Sequence, residues 1–210
     1  MPDLPLVAIP HPLGGIPERE VRERAESAIE EIIKKATQFL PSPEIGRQRG
    51  EECLQLKGSI EEVTSFFYSK GWTDGLPIWP PTPGAVQEML TGTDLRPDHL
   101  LGLMAPQNGK ATVEKIAVNA VMAGCRPTYL PILVAALEGL FEEDFDLMGV
   151  QTSTGPHSPL LIINGPVRHQ IGVNGGSGAL GPGWQANATI GRAIRLILNN
   201  SQRARLVGCC

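Results

Sequence analysis

Two apolar segments meet at a corner, Val118-Asn119-Ala120-Val121-Met122-Ala123-Gly124-Cys125-Arg126-Pro127-Thr128-Tyr129, and they limit what this chain can become. Upstream, Val113, Ile116, Ala117, Ala120 and Val121 recur at helical spacing, with Thr112 placed to cap the start and Gly124 to stop the end. Downstream, Pro127 restarts a helix through Tyr129, Leu130, Ile132, Leu133, Val134, Ala135, Ala136, Leu137 and Leu140. A helix with so little polar surface belongs inside a core. The corner between the two is therefore expected to lie against the centre of a packed domain.

The rest of the chain is read around that core. Val21, Ala25, Ala28, Ile29, Ile32, Ile33 and Ala36 predict an amphipathic helix over 17–39, with Pro17 at its start and Glu18 and Glu20 in its first turn. Residues 41–58 carry no sustained period and read as a linker. Ser59 and Glu62 form a capping box for a short helix bearing Val63, Phe66 and Phe67, and Thr82 with Pro83 opens another through Leu90. Between them, Gly71–Pro83 reads as an extended loop stiffened by proline. Strands are expected at Leu4–Ile9, at Leu160-Leu161-Ile162-Ile163 and at Ile171-Gly172-Val173, and a last helix is expected to be capped by Asn187. Alternation of strands and helices predicts an α/β fold, with a mixed sheet packed by helices and long connections rich in glycine and proline. Gly 24 and Pro 19 in 210 residues exceed the usual share of about an eighth. The domain reading is 1–40, a linker over 41–58, and a module over 59–210.

Composition excludes several classes of function. A net charge of −4 offers no general attraction for nucleic acid or an anionic membrane surface. No apolar run approaches the ~20 residues that span a bilayer, and no basic region precedes a hydrophobic stretch as in a signal peptide. A cytoplasmic location is the expectation. The four cysteines, Cys53, Cys125, Cys209 and Cys210, show no metal-ligand spacing, and no catalytic triad, phosphate loop or zinc pattern is present, so neither metal nor cofactor is expected.

Cys125 has the strongest case for chemistry. Placed just before a helix, it would feel the positive end of a helix dipole, and Arg126 adds a charge beside it, both of which favour a thiolate. The plain alternative is that a free cysteine packs as a small apolar side chain. Lys115 and Asn119 lie four apart on one helix face, where they either orient a substrate or form a solvated surface. Gly176, Gly178 and Gly181 spell a G-x-G-x-x-G pattern, but Pro182 and Gly183 delay the helix and no acid follows before Asn200, so a dinucleotide site is disfavoured. A backbone loop leading into a helix can still hold an anion, with Arg192 and Arg195 to reinforce it. Asp74, in the Trp-Thr-Asp-Gly turn, is either a fixed site carboxylate or a turn former. His11 and His157 are candidate acid or base groups.

Residues 1–39, PDLPLVAIPHPLGGIPEREVRERAESAIEEII, resemble the C-terminal end of the UGSC-type (seleno)protein domain. Residues 59 to about 200 resemble the uncharacterised module that accompanies it, through GWTDGLPIWPPT, NAVMAGCRP, NGP, GALGPG and NATIGRAIRLIL. The resemblance implies a soluble bacterial protein with thiol or selenol chemistry. It matches Asp74, Asn119, Cys125, Asn164, Asn174, Asn187 and Arg192 to patterned segments without assigning their roles. The UGSC motif itself is absent and the last ten residues depart from the pattern, which implies a fragment or altered form. Two readings stay open. One is a thiol-dependent enzyme acting on a small, anionic molecule, with Cys125 as nucleophile or redox thiol, Asp74 and Asn119 positioning the substrate, and Gly176, Gly178, Asn187 and Arg192 binding it. A redox version would need a partner chain or missing domain that carries a thiol or selenol, and a homo-oligomer is compatible with it. The other is a non-catalytic binding or subunit module in which the motifs form an interface.

Overall fold

The computed structural model describes residues 7–12, 14–38, 55–155 and 157–201. They divide between two compact units, Met1–Gly50 and Glu51–Cys210.

The first unit is built on helix α1, Glu18–Gln38. Its surface is laced by ion pairs one turn apart, Arg19 with Glu23, Arg22 with Glu18, Arg24 with Glu20 and Lys35 with Glu31. Each such pair contributes only about 0.3–0.5 kcal/mol. Arg24 also donates to the carbonyls of Pro10 and Pro12, fastening the preceding segment to the helix. Along the predicted apolar stripe Ala28 is buried, while Ile29, Ile32 and Ile33 are exposed. The strand expected at Leu4–Ile9 is not found: Val7, Ala8 and Ile9 have no regular structure, and Leu4, Pro5 and Leu6 lie outside the described residues.

The second unit begins with α2, Ile60–Ser69, and here the capping box is complete. Glu62 N–H donates to Ser59 Oγ at 3.2 Å, and Ser59 N–H donates to the Glu62 carboxylate at 2.7 Å. Phe66 and Phe67 at its end meet Trp72 edge-on, with ring centroids 6.0 and 5.3 Å away. This aromatic cluster anchors the loop that carries Asp74. Thr82 caps α3, Pro83–Leu90, with proline at its first position.

Helix α4, Val113–Ala123, is the centre of the unit. Every residue on it except Glu114 and Lys115 is buried, and it packs against α3, against α5 (Leu130–Phe141) and against α8 (Gln185–Ser201). Gly124 ends it at φ 83°, a left-handed conformation that costs glycine little. The tight corner has a second glycine requirement: a Cβ on Gly92, in the turn after α3, would run into the Pro127 carbonyl oxygen. A short 3-10 turn, Pro127–Tyr129, leads into α5, which buries one face, Leu130, Leu133, Val134, Leu137 and Leu140, while Pro131 and Ala135 on its other side are exposed despite its apolar composition.

The class is α/β in the coarse sense, with helices packed around a small sheet. That sheet is not the mixed one expected. Its strands β1, Leu100–Met104, and β2, Gly109–Thr112, pair antiparallel with Gly102 opposite Ala111, Leu103 opposite Lys110 and Met104 opposite Gly109. Gly102 lets the Phe141 ring of α5 lie directly on β1, since a Cβ there would fall 2.6 Å from that ring.

The predicted strands at 160–163 and 171–173 do not form. Leu160–Ile163 has no ladder partner among the described residues, although its burial alternates, with Leu161 and Ile163 on the core and Leu160 and Ile162 exposed. Ile171 closes the short helix α7, Pro166–Gln170, and Gly172 turns away at φ 72°. A strand period without a neighbouring edge to pair with is not sufficient to make a strand. Helix α6, Leu147–Thr152, is capped by Asp146 and precedes these segments. No helix among the described residues is long and apolar enough to cross a membrane.

Candidate functional site

Helix α8 gathers most of the residues singled out in the sequence. Its first half receives the Asp74 loop, the Cys125 corner and the glycine loop, and its last turn receives Asn119.

Asp74 and Arg192 form a bidentate pair. Arg192 Nε donates to Oδ2 at 2.8 Å and Nη2 to Oδ1 at 3.0 Å, and Nη2 also donates to the Pro77 carbonyl at 2.8 Å. The two side chains are 18% and 19% exposed, so the pair is sheltered enough for its geometry to matter. Asp74 Oδ1 accepts from Leu76 N–H as well, which makes it a turn former and an ion-pair partner at once. Partial burial pushes its carboxyl upward, but the hydrogen bonds from Arg192 and Leu76 and the guanidinium charge outweigh it, and the pKa is held below the ordinary 3.8.

Cys125 contradicts the expectation of a low thiol pKa. Its N–H donates to the Ala120 carbonyl at 2.9 Å, so backbone bonding makes it part of the terminus of α4. That is the end of a helix where the dipole is negative and a thiolate is disfavoured. The α-helix that was to stabilise the thiolate begins only at Leu130, beyond the 3-10 turn. Burial drives the thiol from 9.0 up to about 11, against smaller downward effects from its hydrogen bond to the Thr189 carbonyl, at 3.4 Å, and from the charge of Arg192. Arg192, not the exposed neighbour Arg126, is thus the cation that acts on this sulfur.

Asn119 is completely buried, which overturns the solvated-face alternative for it. Its Nδ2 donates to the Lys115 carbonyl at 2.8 Å, and its Oδ1 accepts from Asn200 Nδ2 at 2.8 Å. Asn200 Nδ2 donates in turn to the Trp72 carbonyl at 3.0 Å, tying α4, α8 and the aromatic turn together. Lys115 points elsewhere, donating to the Lys110 carbonyl.

Asn187 is not the cap of α8, which starts two residues earlier at Gln185. Its amide instead braces the glycine loop: Oδ1 accepts from Asn174 N–H at 2.9 Å, and Nδ2 donates to the carbonyls of Asn174 and Ala179 at 2.9 and 3.0 Å. Within that loop Asn174 Oδ1 takes the Gly176 N–H, and Gly178 sits at φ 78°. The Gly176 backbone donor proposed for an anion is therefore already bonded inside the loop. Asn164 lies exposed, and His11 belongs to the first unit.

His157 and Arg195 come together elsewhere, in an open cleft of ≈ 480 Å³ whose lining includes Gln151, Ser153, Ser158 and Leu161. None of Asp74, Asn119, Cys125, Gly176, Gly178, Asn187 or Arg192 lines it. Sequence reasoning missed Gln151, Ser153 and Ser158, since isolated polar residues in short segments carry no periodic signal. No known protein family, curated protein or solved structure matches the chain.

Proposed function

We propose that the chain is a non-catalytic binding or subunit module whose motif residues build the framework around α8. One observation carries this reading. The side chains of Asp74, Asn119, Asn187 and Arg192 are spent on bonds within the chain, and the Cys125 thiol is held protonated against the Thr189 carbonyl. A nucleophilic thiol at neutral pH requires a thiolate, which a pKa near 11 leaves scarce. The exposed Ile29, Ile32 and Ile33 on α1 support a subunit role in the same reading.

The thiol-dependent enzyme is the second reading, favoured by the gathering of Cys125, Asp74 and Arg192 on one half of α8. In that reading a redox reaction takes its second thiol or selenol from a partner chain. Alkylation by iodoacetamide at neutral pH separates the two. With Cys53, Cys209 and Cys210 replaced by serine, the folded protein is expected to react far more slowly than the same protein in denaturant. Equal rates would overturn the framework reading.

A further inference from the structure

The open cleft beside α6 lies apart from Asp74, Asn119, Cys125 and Arg192, although its α8 wall belongs to the same NATIGRAIRLIL segment. Its wall on α8 is Gly191, Ile194, Arg195 and Leu198, which share one helix face. Its other side comes from α6 and the segment that follows, including Gln151, Ser153, His157 and Leu161. At ≈ 480 Å³ it lies within the range of small-molecule pockets, about 300–1,000 Å³.

The polar groups here differ in kind from those around Asp74. Arg195 enters no ion pair among the described residues, so its guanidinium fork is open to an acceptor. Gln151 carries a buried amide nitrogen with no hydrogen-bond partner, a rare condition that asks for an explanation. That N–H₂ group has no hydrogen bond to give up, so an acceptor in the cleft would complete it. His157 and the Ser153 and Ser158 hydroxyls add further donors. Against them stand Val150, Leu161, Ile194 and Leu198, an apolar wall.

We propose that this cleft binds a small carboxylate with an apolar chain, its head on Arg195 and Gln151 and its chain along Leu161, Ile194 and Leu198. A single arginine matches the one charge of a carboxylate, and its planar fork matches the two oxygens. The proposal rests on the binding-module reading. It fails separately from it, because alkylation of Cys125 reports on a residue outside the cleft.

The test is titration of the full chain, followed by the backbone amide signals of Gly155 and Gly191, with hexanoate, N-acetyl-leucine, 1-hexanol and inorganic phosphate. Saturable shifts with either acid support the site, and the tighter of the two distinguishes a free acid from the end of a peptide. Hexanol and phosphate are expected to bind at least about 10-fold more weakly, the loss of a charged hydrogen-bonded head or of apolar contact. Arg195→Gln, at an exposed position that leaves folding intact, is expected to weaken hexanoate by about 10- to 100-fold. Arg168→Gln, outside the cleft lining, is expected to leave it unchanged. No saturable binding by either acid, equal binding of hexanol or phosphate, or an Arg195→Gln variant that binds like the parent would overturn the proposal.

Discussion

Replacing Asn119 by leucine keeps a side chain of similar size but removes both of its hydrogen bonds. The Lys115 carbonyl loses a side-chain donor, and Asn200 Nδ2 retains only the Trp72 carbonyl. Asn200 Oδ1 already lacks a partner, so the substitution leaves a buried amide that is poorly satisfied at both ends. Stranding such a group costs about 1–3 kcal/mol. Asn119→Ala adds roughly 1 kcal/mol for the hole it leaves at a position with no solvent exposure. Substituting Asn119 and Asn200 together by leucine removes both members of the pair, so the double variant should lose less than the sum of the singles, by about 1 kcal/mol or more. Urea unfolding, followed by tryptophan fluorescence, measures this as a midpoint shift of roughly 1 M at constant slope for a 2 kcal/mol loss. Single variants that lose under about 0.5 kcal/mol, with strictly additive effects, would refute the structural role and return Asn119 to the list of residues free to meet a substrate.

Other consequences follow from the same contacts. Asp74→Asn should cost about 1–3 kcal/mol at neutral pH by leaving the Arg192 charge without its partner in a sheltered place. Because the Asp74 pKa is lowered in the folded state, its stabilising effect is full above 3.8 and is lost as pH falls below that value, so the variant should show a shallower acid dependence in pH-dependent unfolding. Gly92→Ala should lower stability by more than about 2 kcal/mol, read as a drop in Tm, because the new methyl meets the backbone oxygen of Pro127 and not a yielding side chain. The Cys125 thiol runs the opposite way in pH. Its raised folded pKa means that stability is intact below 9.0 and is lost between 9.0 and about 11, so the parent should lose up to about 3 kcal/mol more than Cys125→Ser across that window.

The local signals in the sequence were those with a mechanism confined to a few residues. Ser59 with Glu62, Thr82 with Pro83, Thr112 and Gly124 each set a helix end through bonds to adjacent backbone, and each is found as read. The β1–β2 hairpin was missed, although Pro106 and the Asn108-Gly109 pair mark its turn, Asn108 at φ 55°. Leu160–Ile163 misled because its alternation reports one buried face, whereas a strand also needs an edge to bond. The site was harder to read for a similar reason. That Asp74 would meet Arg192 across 118 residues, or Asn119 meet Asn200 across 81, depends on how α8 packs on α4, and nothing local encodes it. For Cys125 the neighbouring Pro127 pointed to a following helix, yet the backbone bond to Ala120 assigns it to the preceding one, and the sign of the dipole reverses with that assignment.

The framework reading depends most directly on the protonation of Cys125. Ultraviolet absorbance of the thiolate, taken as the difference between a Cys53, Cys209 and Cys210 to serine protein and the same protein with Cys125→Ser, gives its pKa in the folded state. The expected value is near 11. A value below about 8.5, that of a free thiol, would contradict it and make Cys125 a nucleophile in waiting.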